Sequence, residues 1–144
     1  MGYIGLAPDL LGMGDSRGFP RYMHAASEAS AVIDMLLAVK AYLIQQDMPY
    51  SDQLFVRGYS QGGHSAAALQ RAIEAGQAGD ATVPAAAHHI SGPYSICGEM
   101  AGLLFRQDEA YFFPAFSGTL TCVTTRRTDS TTAPSRSSAS PMRA

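Results

Sequence analysis

The sequence predicts an α/β fold, a short parallel sheet flanked by helices. Two observations carry that expectation. Short apolar runs followed by turn residues alternate with longer stretches whose apolar residues recur at helical spacing. Strands alternating with helices of this length imply βαβ units and a parallel sheet covered on both faces, with right-handed crossovers. No internal repeat is visible.

In chain order, YIGLA (3–7) is a short apolar run that reads as a buried strand. PDLLGMGDSRGFP follows, and its Gly, Asp and Pro residues make it a loop. From about Met23 to Gln46, Val32, Met35/Leu36, Val39 and Leu43 fall at helical spacing, with Glu28, Asp34, Lys40 and Gln45 interleaved as the polar positions. Met48-Pro49-Tyr50-Ser51-Asp52 ends that helix. Gln53–Tyr59 is a second strand and Gln61 to about Ala75 a second helix, with Ala66, Leu69 and Ile73 inward and Gly76 as its stop. Val83 to about Ile90 is a third strand, and SGPYS after it is a loop.

Composition narrows the class. The 144 residues suffice for one domain with a core, and 47% are hydrophobic. No apolar run approaches the ~20 residues of a membrane span. The first residues lack a basic region ahead of a long apolar core, so no signal peptide is read there and the compartment stays open. The net charge of −2 divides into −5 over residues 1–117 and +3 over 118–144. Four arginines among serines and threonines are a weak basic signal, and no nucleic-acid partner is expected. Cys97 and Cys122 allow one disulfide or none, and no Cys/His cluster suggests a metal. His88-His89 on a strand would point to opposite faces, one inward and one outward.

After Ser117 the character changes. Twelve of the last 27 residues are Ser or Thr, without a periodic apolar face. Such a segment buries too little apolar surface to offset its ordering entropy. Residues 118–144 are therefore expected to be a disordered tail behind a domain at 1–117. The abrupt onset suggests an altered reading frame or a gene-model artefact.

The chemistry concentrates at Gly58-Tyr59-Ser60-Gln61-Gly62-Gly63, where a predicted strand meets a predicted helix. A serine that attacks a carbonyl must stand clear of the sheet, and a tight strand-to-helix turn puts it there with a strained backbone. The residues two before and two after approach each other, so Gly58 and Gly62 fit, and Gly63 relieves the crowding further. The Gln61 backbone N–H, at the start of the helix, can donate to a developing oxyanion. Two other readings stand beside this one. Ser60 could merely cap the helix. A phosphate-binding turn is the other, but neither G-x-G-x-x-G spacing nor a Walker lysine is present.

Gly58-Tyr59-Ser60-Gln61-Gly62-Gly63-His64 resembles the nucleophile elbow of the α/β-hydrolase superfamily, and is most similar to its secretory-lipase-like and bacterial esterase branch. APDLLGMGDS, with Asp9, Gly12, Gly14 and Ser16, resembles the loop after the strand that comes two before the elbow helix. SEASAVIDMLLAVKAYL resembles the helix leading into the elbow strand, and SGPYS the loop after the next strand. Cutinases share Gly-Tyr-Ser-Gln-Gly, but their cysteine arrangement has no match here. The resemblance covers about residues 2–117 and implies an incomplete α/β-hydrolase fold.

It implies Ser60 as nucleophile, the Gln61 N–H as one oxyanion contact, and a nucleophile, acid, histidine order along the chain. The acid and the histidine are expected from later loops, and the second oxyanion donor from a loop ahead of residue 1. His64 is expected to pack near the turn rather than face the hydroxyl. His24 is a weak candidate for the base, and Asp9 and Asp15 are expected to shape their loop. No triad acid or histidine is assigned. The aromatic stretch Leu103 to Phe116 reads either as a cap over the site or as core packing. The implied function is carboxylic-ester hydrolysis of a small-molecule or lipid ester through a seryl acyl-enzyme, with no metal or organic cofactor. The chain itself is expected to be incomplete and inactive or nearly so. An acyltransferase or peptidase, and a non-catalytic interaction module on the same scaffold, remain open. Related lipases are often secreted.

Overall fold

A computed structural model describes residues 2–79 and 83–104, excluding the side chains of 103 and 104. The elements run α1 (Ala25–Gln45), β1 (Leu54–Tyr59), α2 (Gln61–Glu74), β2 (Pro84–Ile90), a single π-type turn (Ile96–Met100) and the short α3 (Ala101–Leu104). β1 and β2 pair in parallel, from Leu54 opposite Pro84 to Tyr59 opposite Ile90, with a register irregularity between Leu54 and Phe55. The α2 crossover connects them, as parallel pairing requires. The expected tail at 118–144, the domain boundary before it and most of the aromatic stretch lie outside the described residues.

Helix α1 spans most of the expected segment because its apolar residues keep helical spacing. Leu36 and Leu43 are buried, and Val32 and Ile33 pack beside them against Leu69, Ile73 and Ala78. Leu69 is the largest apolar side chain fully enclosed, at 1% exposure. Leu54 and Val56 of β1 complete this core. Both helices close in the same way. At α2, Gly76 takes φ +70°, its N–H donates to Ile73 O, and Gln77 N–H donates to Ala72 O. At α1, Asp47 takes φ +51°, with Asp47 N–H to Ile44 O and Met48 N–H to Leu43 O. These are paired C-terminal bonds around one left-handed residue, a Schellman closure.

Four expectations are corrected. YIGLA forms no strand: Tyr3 is 91% exposed and nothing among the described residues pairs with the run. A strand exists only through its ladder, and an apolar run without a partner stays extended coil. Among the described residues the sheet therefore has two strands, not three. Among the described residues, helices cover one face: Leu54 and Val56 turn to them, while Phe55, Arg57 and Tyr59 are exposed, with the ring of Tyr3 edge-on to Phe55 at 6.0 Å. His88 and His89 are both exposed, not one in and one out. Glu28, assigned to the solvated side of α1, is 1% exposed.

Because Leu69 sits where α1, α2 and β1 meet, Leu69→Ala is expected to lower unfolding free energy by about 2–5 kcal/mol. Urea denaturation followed by far-UV circular dichroism measures it.

Candidate active site at the β1–α2 turn

β1 ends at Tyr59 and α2 begins at Gln61, so Ser60 alone makes the turn. Its φ of 54° and ψ of −119° lie in a region that costs a non-glycine residue about 1–3 kcal/mol. Two hydrogen bonds hold it there. Ser60 N–H donates to Ile90 O at 2.9 Å, and Ser60 O accepts from His64 N–H at 3.2 Å. The second is the first bond of α2, so the N–H groups of Gln61, Gly62 and Gly63 have no partner within the helix. The Ser60 side chain makes no capping hydrogen bond and the residue is exposed. A serine held for capping would accept from one of those N–H groups.

The crowding at the turn is specific. A Cβ on Gly58 would fall on the carbonyl of Gly62, backbone against backbone. A Cβ on Gly63 would stand 2.6 Å from Ile90 O. One on Gly62 would meet nothing within 4 Å. The requirement for a small residue therefore falls on Gly58 and Gly63, and what Gly62 brings to the approach is its carbonyl.

Beneath the turn lies a buried carboxylate that sequence spacing did not single out. Glu28 Oε1 accepts from Gln61 Nε2 at 3.0 Å and from Met23 N–H at 3.2 Å. Glu28 Oε2 meets His64 Nδ1 at 2.6 Å and accepts from Ser65 Oγ at 2.8 Å. Burial pushes this carboxyl up. The hydrogen bonds from His64, Gln61 and Ser65, with the attraction of His64, outweigh that and hold it below the ordinary 4.5. The signal that could have found it is spacing: Glu28 stands four residues before Val32 and eight before Leu36, on the helix face that packs into the core.

The other candidates are placed as follows. His64 meets Glu28 through Nδ1, and no hydrogen bond among the described residues runs from its ring to Ser60. His24 is the N-cap of α1, its Nδ1 accepting from Ser27 N–H at 3.3 Å. The Asp9 carboxylate lies where a Cβ of Gly14 would stand, inside its own loop. That loop closes on α2: Pro8, Asp9, Leu10 and Met13 line a cavity of about 160 Å³ together with Gln61 and Gly62. Among the described residues no group of three metal-ligating side chains occurs. No helix there is long and apolar enough to cross a membrane.

This architecture recurs in solved structures. The rice cell wall degrading esterase LipA from Xanthomonas oryzae superposes with a TM-score of 0.56 at 43% identity, over 61% of this chain and 23% of that one. The chain carries part of an α/β-hydrolase-type fold. A Legionella pneumophila protein assigned provisionally as a hydrolase matches with a TM-score of 0.59 at 35% identity, over 68% of this chain and 26% of that one. The chain thus spans about a quarter of the length of these structures. No protein-family model and no curated protein matches it.

Two outcomes test this geometry. Gly58→Ala is expected to destabilise by about 3 kcal/mol, the upper end for overpacking, because two backbones cannot both give way. Gly62→Ala is expected to stay within about 1 kcal/mol of the parent. Chemical denaturation of the pair distinguishes them. The Glu28 carboxyl is lowered on folding, so its contribution is fully present above the unfolded value of 4.5 and lost as pH falls through the lower folded one. Melting temperature is expected to decline from pH 5 downward, and Glu28→Gln to flatten that decline.

Proposed function

We propose that the chain bears the nucleophile of a serine ester hydrolase of lipase or esterase type. The observation that carries this is Ser60: exposed, held at φ 54° at the head of α2, with its hydroxyl unused for capping. The esterase named among the similar structures supports ester chemistry. In this reading Ser60 Oγ attacks the carbonyl carbon of a small-molecule or lipid ester. The oxyanion that forms takes a hydrogen bond from the Gln61 N–H, helped by the helix dipole. The alkoxide leaves with a proton, an acyl-serine remains, and water releases the acid. Gly58, Gly62 and Gly63 shape the elbow.

Among the described residues no hydrogen bond joins the His64 ring, or any other base, to the Ser60 hydroxyl; the bond His64 makes is from Nδ1 to Glu28. A serine without a base is a weak nucleophile. That observation favours a second reading for the chain by itself, a non-catalytic module or pseudo-enzyme on the hydrolase scaffold. Labelling with a fluorophosphonate separates the two. Covalent modification of the wild type, lost in Ser60→Ala, is the expected outcome for an activated nucleophile. Unlabelled wild-type protein with a cooperative melt supports the second reading.

A further inference from the structure

We propose that Glu28 is a positioning residue for the Ser60–Gln61 turn, gripping the first turn of α2 from below through Gln61, His64 and Ser65. The proposal rests on the reading of Ser60 and Gln61 given above. All four partners of the carboxylate are donors, and three of them stand at positions 1, 4 and 5 of α2. The fourth, Met23 N–H, lies just before α1. A carboxylate only accepts, so His64 carries its proton on Nδ1 in this pair.

The reason such a grip is needed is in the sequence of the turn. α2 opens Gln61-Gly62-Gly63, and two consecutive glycines are among the poorest starts a helix can have. Left alone, that turn frays, and the N–H of Gln61 loses a fixed direction. Gln61 and His64 flank the two glycines, and both side chains are tied to one enclosed carboxylate. Glu28 thereby fixes the peptide that follows Ser60 without touching any substrate. No atom of its side chain is left over for another role, since every buried side-chain polar atom among the described residues has a partner.

Amide hydrogen exchange by NMR on the full chain tests this, in Glu28→Gln and in Gln61→Met. The readout is exchange at His64, the first bonded amide of α2, against Ala75 and Gly76 at its far end. Both variants are expected to speed exchange at His64 about tenfold more than at the far end, and to slow fluorophosphonate labelling of Ser60 about tenfold. In Glu28→Gln the His64 ring nitrogen signals are expected to report a changed tautomer. Equal acceleration at both ends, or none, overturns positioning and leaves Glu28 an ordinary stabilising residue. If Glu28→Gln does not fold, Gln61→Met, which removes one donor only, decides the matter. If wild-type Ser60 is never labelled, the nucleophile reading fails on its own, and the exchange ratio still decides the role of Glu28.

Discussion

Everything near the site follows from one steric constraint. The end of β1 and the start of α2 pass so closely that no side chain fits between Gly58 and the carbonyl of Gly62. A strand and a helix joined by a single residue cannot be spaced otherwise. That residue must leave the usual backbone regions, and Ser60 does. The second close passage, Gly63 against Ile90, brings β2 to the same point, where Ser60 N–H completes the ladder. Position and strain at Ser60 are therefore two aspects of one packing requirement, and the loop around Asp9 closes against its outcome.

Close approach alone does not stiffen a helix that begins with two glycines. The buried carboxylate of Glu28 does so by replacing water with four donors. An ionised group in a protein interior is tolerated when its oxygens are hydrogen-bonded and is costly when they are not. Here burial and hydrogen bonding pull the carboxyl in opposite directions, and hydrogen bonding prevails. The same pairing draws the Nδ1 edge of His64 toward α1.

The local elements were legible in the sequence, and the long-range contacts were not. The helices around Leu36 and Leu69 announce themselves by spacing, and Gly76 by its place behind the last apolar residue. The turn at Ser60 is legible because glycines flank a serine where a strand run meets a helical one, although the packing requires a small residue at Gly58 and Gly63 and not at Gly62. YIGLA misled because hydrophobicity alone says nothing about whether a hydrogen-bonding partner is present. Glu28 was hidden because its charge argues for solvent although it stands four residues before Val32 and eight before Leu36, and the donors that make burial tolerable lie 33 to 37 residues away. His88 and His89 were misplaced for a related reason: alternation assigns them opposite faces but does not say whether anything covers either face there.

Of the four non-glycine residues with positive φ among the described residues, Met23, Asp47, Ser60 and Ser91, Asp47 and Ser60 carry strain of different kinds. Asp47 is exposed and closes α1 with the same bond pattern that Gly76 provides for α2. Its strain serves only the exit of a helix, and glycine there relieves it without disturbing another contact. Ser60 cannot be relieved in this way without removing the hydroxyl that the turn presents. An engineer seeking a more robust protein would thus gain at one left-handed position and lose at the other. The molecule separates a dispensable reserve of stability from one bound to what the site does.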